Sequence, residues 1–168
     1  LYADLTSENY TITGSGESIT VQSLGQTMNF TGVKRIVSTD AGAGNDYIYV
    51  GPGISANVVL NGGADNDSLT YLGTGTAIID GGAGNDLIRG GSGSDILYGG
   101  TGNDRIYGGL GDDNLNGQDG NDQLWGEAGE DTLRGGNNND WLWGGDDNDW
   151  LNGEAGDDIL QAGLGDDT

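Results

Sequence analysis

A hydrophobic residue recurs at every ninth position between residues 81 and 161. This segment consists of nine contiguous copies of one nine-residue unit, first written as GGAGNDLIR from Gly81 to Arg89, and a tenth copy begins at Ala162. The eighth position of every complete copy is aliphatic: Ile88, Leu97, Ile106, Leu115, Leu124, Leu133, Leu142, Leu151 and Leu160. The sixth position is always aspartate: Asp86, Asp95, Asp104, Asp113, Asp122, Asp131, Asp140, Asp149, Asp158 and Asp167. Such a strict period predicts a repeat architecture in which each copy is one structural unit.

Within each unit the pattern predicts a turn over the first six residues and a β-strand over the last three. One side chain of that strand, at the eighth position, points inward and its two neighbours point outward. Two units make one turn, so equivalent loops stack about 4.8 Å apart. The predicted fold is all-β, a parallel β-roll or β-helix solenoid with two sheets of short strands and about 18 residues per turn. No helix is predicted because glycine recurs too often.

Residues 1–80 carry the same unit in degraded form. Residues 41–48 fit it with Asp46 and Ile48 in place, and residues 62–69 fit it with Asp67 at the sixth position. Short β-prone runs occur at roughly the repeat spacing, at residues 10–13, 18–21, 34–38, 47–50, 58–60, 69–72 and 77–79. We therefore predict a degenerate β-solenoid or cap over residues 1–80 and a regular roll over residues 81–168. The alternative for the upstream region is a separate small β-sandwich.

The charge balance changes this picture, because the 168-residue chain has 27 acidic and only five basic residues, a net charge of −22. Compact folding requires that this charge be neutralised, most simply by bound cations, and the sign of the charge argues against a nucleic-acid partner. The chain has no cysteine and no histidine, which excludes disulfides and thiolate or imidazole metal ligands. No apolar run is long enough to span a membrane. The first residues do not form a signal peptide and the chain ends within a repeat, so we expect it to be part of a larger protein.

The loop composition predicts a calcium site. Glycines at the first, second and fourth positions allow positive φ and let carbonyl oxygens converge. Where the fourth glycine is lost, the substitutes are Asn138, Asp147 and, upstream, Asp65, which tolerate the left-handed region. Stacked loops then offer carboxylates and carbonyls to one gap, a ligand set that suits Ca²⁺ rather than Mg²⁺ or a soft metal. One buried aliphatic residue per unit cannot offset the entropy of ordering a whole unit, so metal binding is expected to drive folding.

Residues 81–168 closely resemble the repeats-in-toxin (RTX) family of secreted bacterial proteins, and residues 41–80 resemble it more loosely. The resemblance implies that each gap binds Ca²⁺ through the aspartate and the second- and fourth-position carbonyls of one loop. The resemblance also implies that the same ion is bound by the aspartate and by the first- and third-position carbonyls of the loop two units later. One such gap uses Gly82, Gly84, Asp86, Gly99, Thr101 and Asp104. About eight ions are implied, and Asp46 and Asp67 add one or two.

The implied ligands include all ten sixth-position aspartates together with backbone carbonyls at four loop positions. The first-position carbonyls belong to Gly99, Gly108, Gly117, Gly126, Gly135, Gly144, Gly153 and Ala162. The second-position carbonyls belong to Gly82, Gly91, Gly100, Gly109, Gln118, Glu127, Gly136 and Gly145. The third-position carbonyls belong to Thr101, Leu110, Asp119, Ala128, Asn137, Asp146, Ala155 and Leu164. The fourth-position carbonyls belong to Gly84, Gly93, Gly102, Gly111, Gly120, Gly129, Asn138 and Asp147.

Aromatic residues recur at the ninth position of alternate units, as Tyr107, Trp125 and Trp143. The spacing places them in one row on one sheet with Trp141 beside them, and places Tyr98 and Trp150 on the other sheet. Two interpretations are open: an exposed platform that binds a glycan or a partner protein, or a cross-strand ladder that stiffens the sheet. Ice binding is disfavoured because the third position varies too widely.

The fifth-position carboxylates could pair as in a glycosidase, but periodic carboxylates on a roll are more often solvated: Asp112, Glu130, Asp157 and Asp166. We therefore predict no catalytic site and no enzymatic activity in this chain. The first hypothesis is a structural module of a larger secreted or cell-surface protein that folds when calcium binds, as the RTX resemblance implies. The alternatives are a glycan- or protein-binding module that uses the aromatic row, and an accessory domain of a secreted enzyme.

Overall fold

Short strands coil into a two-sheet solenoid in the computed structural model of the chain. The structure describes residues 9–15, 18–23, 26–30, 35–37 and 41–168. The first eight strands are β1 Asn9–Ser15, β2 Ser18–Ser23, β3 Gln26–Phe30, β4 Arg35–Val37, β5 Tyr47–Val50, β6 Asn57–Ala64, β7 Ser68–Tyr71 and β8 Ala77–Ala83. The remaining nine are β9 Leu87–Gly91, β10 Ile96–Thr101, β11 Arg105–Leu110, β12 Asn114–Asp119, β13 Gln123–Ala128, β14 Thr132–Asn137, β15 Trp141–Asp146, β16 Trp150–Ala155 and β17 Ile159–Leu164.

Consecutive strands from β4 onward alternate between two parallel sheets. The ten-stranded sheet has the order β17-β15-β13-β11-β9-β7-β5-β1-β2-β3, and the seven-stranded sheet has the order β16-β14-β12-β10-β8-β6-β4. In the repeat region each strand residue pairs with its equivalent two units later, as Leu97 does with Leu115. The predicted all-β parallel solenoid with two units per turn is therefore confirmed, and no helix occurs in the described ranges.

The strands are longer than the sequence predicted. The expected turn over the first six positions is wrong, because the strands run from the seventh position of one unit to the third position of the next, as in Ile96–Thr101. Gly100 and Thr101 pair in register with Gln118 and Asp119, so backbone groups of the second and third positions extend the ladder. In the regular repeats the fourth to sixth positions lie outside the strands, and at Ser92 the third position does as well.

The upstream turns belong to the same two sheets. Tyr47 pairs with Ser68 and Ser68 with Leu87, and both spacings are slightly longer than two units. The first strands differ, because β1 is parallel to β5 but antiparallel to β2, and β2 is antiparallel to β3. The run at residues 18–21 is therefore part of an antiparallel meander and not a solenoid turn. The two end positions of the predicted run at residues 34–38 lie outside the described residues.

The core is a single column of side chains between the sheets. Every eighth-position residue from Ile88 to Leu142 has an exposed fraction of 0%, which confirms the inward direction of this position. Leu151 is partly buried against the column, while Leu160 in the last turn is 47% exposed. The upstream strands bury more apolar side chains than the regular strands do, since both Ile48 and Val50 of β5 point inward. The upstream turns therefore have a larger apolar core than the regular repeats. None of the described segments contains a helix long and apolar enough to cross a membrane.

Candidate metal centre

Six-residue loop segments, whose first residues end one strand and whose last three precede the next, stack into two columns, one along each edge of the solenoid. The asparagine edge comprises loops 81–86, 99–104, 117–122, 135–140 and 153–158, preceded by loops 41–46 and 62–67. The opposite edge comprises loops 90–95, 108–113, 126–131, 144–149 and 162–167, preceded by loops 51–56 and 72–77. The sixth-position aspartates lie in the loops of both edges, directly before the next strand begins.

Each sixth-position aspartate is held by the backbone of the preceding turn. Asp104 Oδ1 accepts a hydrogen bond from the Asp86 N–H at 2.8 Å, and Asp122 Oδ1 accepts one from the Asp104 N–H at 2.8 Å. The chain of bonds continues upstream, where Asp67 Oδ1 accepts from the Asp46 N–H and Asp86 Oδ1 accepts from the Asp67 N–H. This ladder fixes the carboxylate orientation of the sixth-position aspartates from Asp67 onward and places the degraded loops at Asp46 and Asp67 in the stack.

The second carboxylate oxygen of these aspartates is a buried acceptor with no hydrogen-bond partner. This holds for Oδ2 of Asp67, Asp86, Asp95, Asp104, Asp113, Asp122, Asp131, Asp140 and Asp149. Their side chains are almost fully buried, with Asp104 only 1% exposed. Buried polar atoms in folded proteins nearly always have a partner, and an ionised oxygen without one is especially costly. A cation in the gap would satisfy all of these oxygens in the same way.

The first-position glycine leaves the space that this oxygen faces. A Cβ atom on Gly99 would collide with Asp104 Oδ2 and with the carbonyl oxygen of Gly117 in the next loop. The same two kinds of oxygen border Gly81, Gly108 and Gly126. The expected reason for this glycine, a positive φ, is wrong, because positive φ is found at the second and fourth positions and not at the first. Glycine is required here because a side chain would fill the gap.

Carbonyl oxygens of the second and fourth positions point from each loop toward the next one. The Gly82 oxygen approaches Gly100 and the Gly84 oxygen approaches Gly102, so closely that a Cβ atom on either later residue would clash. Asp65, Asn138 and Asp147 do occupy the fourth position with φ between 77° and 79°, which confirms the expected tolerance of Asn and Asp for this backbone. Gln118, Glu127 and Glu154 adopt positive φ at the second position as well.

Third-position carbonyls point in the opposite direction, toward the preceding loop. The Thr101 oxygen accepts a hydrogen bond from the Gly84 N–H at 2.8 Å, and the Asp119 oxygen accepts one from the Gly102 N–H at 2.8 Å. A carbonyl oxygen has a second lone pair, so this bond leaves capacity for a metal ion. The gap between loops 81–86 and 99–104 is thus bordered by the six groups that the sequence resemblance brought together.

Burial raises the pKa of the sixth-position carboxyls. Desolvation raises the pKa of Asp104 from 3.8 to about 7; the hydrogen bond from Asp86 opposes this shift, and the charges of Asp122 and Asp86 reinforce it. Desolvation likewise raises the pKa to about 7 for Asp67, Asp95, Asp113 and Asp131, and to about 6 for Asp122 and Asp140. The pKa values of Asp86 and Asp149 are also raised, mainly by burial. Without a cation these groups resist ionisation near neutral pH.

The donor set in each gap is suited to a hard cation. Within the described ranges no group of three or more His, Cys, Asp or Glu side chains forms a metal cluster, so carboxylates alone do not make a site. Each gap instead combines two aspartates from successive loops with several backbone carbonyls, all of them oxygen. Ca²⁺ takes six to eight oxygen ligands in flexible geometry, whereas Mg²⁺ prefers to keep its water. The residues present therefore fit calcium.

A second ladder runs along the asparagine edge and was not predicted. Asn103 Oδ1 accepts from the Asn121 N–H at 2.8 Å, and Asn85 Oδ1 accepts from the Asn103 N–H at 2.7 Å. The ladder extends from Asn45 through Asn139, whose Oδ1 accepts from the Asp157 N–H at 2.8 Å. The signal in the sequence is the asparagine at the fifth position of alternate units. These neutral side chains align the loops without adding charge.

Upstream on the opposite edge, Tyr71 occupies a loop gap that lacks aspartate. Its side chain is 0% exposed, its hydroxyl donates to the Ala56 carbonyl at 3.0 Å, and it accepts from the Gly75 N–H at 2.8 Å. Ala77 stands where the regular loops have aspartate, and its N–H donates to Asp95 Oδ1 at 2.6 Å. A neutral hydroxyl thus bridges loops 51–56 and 72–77. The missing aspartate was visible in the sequence, but the replacement by tyrosine was not recognised.

The aromatic row lies where the sequence placed it, and its first ring is covered on both faces. Tyr107 and Trp125 stack with ring centroids 4.5 Å apart and planes 2° from parallel, and the Arg89 guanidinium lies 4.4 Å from the Tyr107 ring centroid. Trp143 pairs in register with Trp125 on the same sheet. The faces of Tyr107 are therefore covered, as in a cross-strand ladder.

Comparison with known proteins agrees with the geometry of the loops. No curated protein and no solved structure matches the chain. The family described as "RTX calcium-binding nonapeptide repeat (4 copies)" matches residues 40–54, 55–73, 71–106, 98–133, 107–142 and 134–168. These overlapping matches cover most of the chain, including the degraded upstream loops and every regular repeat. The chain therefore belongs to the family of RTX calcium-binding nonapeptide repeats.

Proposed function

We propose that this chain is a structural module whose roll forms when calcium binds between stacked loops. In a representative gap the ligands are the carbonyl oxygens of Gly82, Gly84, Gly99 and Thr101 and the carboxylates of Asp86 and Asp104. The observation that carries the proposal is the unpartnered, buried Oδ2 oxygen repeated in successive loops. The full ligand set is the one that the sequence resemblance implied for all ten loops.

The electrostatic cost of the loops supports a binding-coupled folding reaction. A pKa raised from 3.8 to about 7 means that an ionised Asp104 costs the folded state up to about 4 kcal/mol. Three such costs approach the total free energy of unfolding of a typical domain, about 5–15 kcal/mol. Divalent ions remove this cost and add ligand bonds, so the free energy of binding becomes free energy of folding. We propose that the chain without calcium is largely unfolded at neutral pH.

The number of ions follows from the number of gaps between aspartate loops. The five regular loops on each edge enclose four gaps, which gives the eight expected ions. A ninth gap lies between loops 62–67 and 81–86, where the Gly63 and Asp65 carbonyls approach Gly82 and Gly84 as in the regular repeats. The gap above it is built differently, because the Gly44 N–H donates to Asp65 Oδ2 at 3.0 Å, whereas the equivalent Gly84 N–H donates to the Thr101 carbonyl oxygen. We propose that this tenth gap binds calcium more weakly.

Equilibrium dialysis of the full chain against radiolabelled calcium tests the count. The expected result is a stoichiometry of about nine, with a tenth equivalent at higher concentration. Asp67→Asn should lower the tight stoichiometry, while Asp157→Asn, which only extends the asparagine ladder, should leave it unchanged. A stoichiometry of four or fewer would show that one edge or most gaps do not hold calcium.

We further propose that the module works outside the cell as part of a larger secreted or surface protein. Calcium is scarce in the cytosol and abundant outside, so the carboxylate repulsion would keep the chain open before export and the ions would close it afterwards. Residues 1–80 would then serve as a cap on the regular roll of residues 81–168. We propose no catalytic role for the fifth-position carboxylates, because exposed Asp112 uses its Oδ1 to accept from the Glu130 N–H at 3.1 Å, as a ladder residue does.

A further inference from the structure

A groove on the outer face of the ten-stranded sheet borders three of the calcium loops. It has a volume of about 600 Å³ and is lined by Trp125, Glu127, Trp143, Asp146, Gln161 and Leu164. These residues come from β13, β15 and β17, at the ninth, second and third positions of successive turns. The second-position glycines Gly145 and Gly163 also border the groove and leave it open. The groove is therefore a product of three neighbouring turns and not of one loop.

The chemistry of the lining is aromatic and acidic. Trp125 and Trp143 supply indole rings, Glu127 and Asp146 supply exposed carboxylates, and no basic side chain lines the groove. The proposed calcium ligands at residues 127 and 146 are backbone carbonyls, so both carboxylates keep their charge when the roll is loaded. Indole faces and carboxylates together favour a cation, and a planar guanidinium most of all.

The same aromatic row already holds a guanidinium within this chain. Arg89 lies 4.4 Å from the centroid of the Tyr107 ring, and Tyr107 stacks on Trp125 at 4.5 Å. Trp143 is the next residue of the row and borders the groove. The contact between Arg89 and Tyr107 shows that the row accommodates an arginine side chain laid along the sheet. The groove offers an equivalent aromatic surface with carboxylates beside it.

The open shape of the groove decides between small and large occupants. A small molecule is held tightly when most of its surface is buried in an enclosed site. This groove is broad and solvent-exposed, and Leu164 at its end is 71% exposed. An extended polypeptide can cover such a surface and place one side chain between the rings. We propose that the groove docks an arginine-bearing basic segment of a partner protein, with the guanidinium against Trp143 and paired with Glu127 and Asp146.

Binding of a short arginine peptide to the calcium-loaded full chain tests this proposal. The probe is acetyl-Gly-Arg-Gly-Arg-Gly-amide, and its matched control has citrulline, which is isosteric and neutral, at both arginines. Calorimetry should show saturable binding of the arginine peptide and none of the citrulline peptide. Trp143→Ala should raise Kd about tenfold, the loss of one strong cation–π contact. Far-UV circular dichroism in calcium should be unchanged, which separates loss of docking from loss of the roll.

Two further variants test whether binding is specific to this groove. Trp150→Ala removes an exposed tryptophan from the seven-stranded sheet, where Arg134 lies 5.0 Å from its ring centroid, and it should leave Kd unchanged. Glu127→Gln, which keeps the backbone carbonyl, should weaken the arginine peptide severalfold. Equal binding of the arginine and citrulline peptides, or an unchanged Kd in Trp143→Ala, would overturn the proposal. Tighter binding of a neutral oligosaccharide than of the arginine peptide would assign the groove to carbohydrate instead.

Discussion

Replacing Asp104 by asparagine should have opposite effects on stability with and without calcium. Asparagine keeps an oxygen that can accept the Asp86 N–H bond, which is 2.8 Å long in the structure. It removes the charge and replaces the unpartnered Oδ2 by an NH₂ group. The structural bond and the shape of the residue are therefore retained, while the site loses a ligand oxygen and its charge.

The magnitude follows from the raised pKa of Asp104. Because desolvation raises that pKa from 3.8 to about 7, the ionised carboxylate costs the calcium-free fold up to about 4 kcal/mol, and Asp104→Asn should recover at most this amount. In calcium the same change should raise the midpoint of the calcium titration about tenfold, equivalent to a loss of about 1.4 kcal/mol. The effect on stability should thus change sign when calcium is added.

In calcium-free buffer, at a pH above the raised pKa of Asp104, the assay is folding induced by trimethylamine N-oxide. In saturating calcium the assay is urea unfolding, and both transitions are followed by circular dichroism. The matched control is Asp157→Asn, an exposed ladder position where the equivalent loops have asparagine, and its effect should stay within about 0.5 kcal/mol. If Asp104→Asn destabilised the chain equally in both buffers, its carboxylate would be a structural acceptor and not a calcium ligand.

Three other predictions concern pH, the loop glycines and the upstream turns. In calcium-free buffer the β signal should increase as the pH falls from about 7 towards 5. The carboxyl pKa values of about 6 to 7 in the folded state exceed the unfolded value of 3.8, so protonation stabilises the folded state. This stabilisation of the folded state is lost as the pH rises through the folded-state pKa values. A signal that fell on acidification, with sedimentation excluding aggregation near the pI of 4.1, would contradict this. Gly99→Ala should weaken calcium-dependent folding far more than Asn138→Gly, because the Cβ on residue 99 would meet Asp104 Oδ2 and the Gly117 oxygen, whereas glycine already occupies the fourth position of most loops. Equal calcium midpoints for the two variants would refute this role of the first glycine. Tyr71→Phe should lower the free energy of unfolding by about 1–3 kcal/mol, because it leaves the Gly75 N–H without its acceptor. Hydrogen exchange at that N–H should become faster, while the calcium stoichiometry should not change. Unchanged exchange would show that the hydroxyl does not hold the loop.

The regular part of the fold was predictable because the eighth position of each unit fixes which side chain of each strand faces the core. Leu115 and Leu124 sit one unit apart and point to the same core, so the period alone gives two strands per turn and stacked loops two units apart. The same period placed Tyr107 and Trp125 on one sheet. Register is strongly specified here because a shift by one residue would bring polar side chains into the column.

Features that depend on backbone pairing were not visible in the sequence. The strands extend through Gly100 and Thr101 because their backbone groups pair with the next turn, although glycine-rich segments usually indicate turns. The first-position glycine was assigned the wrong cause, since Gly99 is needed for space beside Asp104 and not for its φ. Tyr71 could not be recognised because its hydroxyl joins Ala56 of the preceding turn to Gly75 of its own loop.

The central claim is that calcium ions between stacked loops supply the cohesion of the roll. Its most direct test is far-UV circular dichroism of the full chain during a calcium titration, with magnesium at matched concentration as the control. Calcium should convert a largely unfolded chain into the β-roll, and magnesium should leave it unfolded, because it dehydrates reluctantly and demands octahedral geometry. A chain with the same β signal in chelator as in calcium would contradict the account.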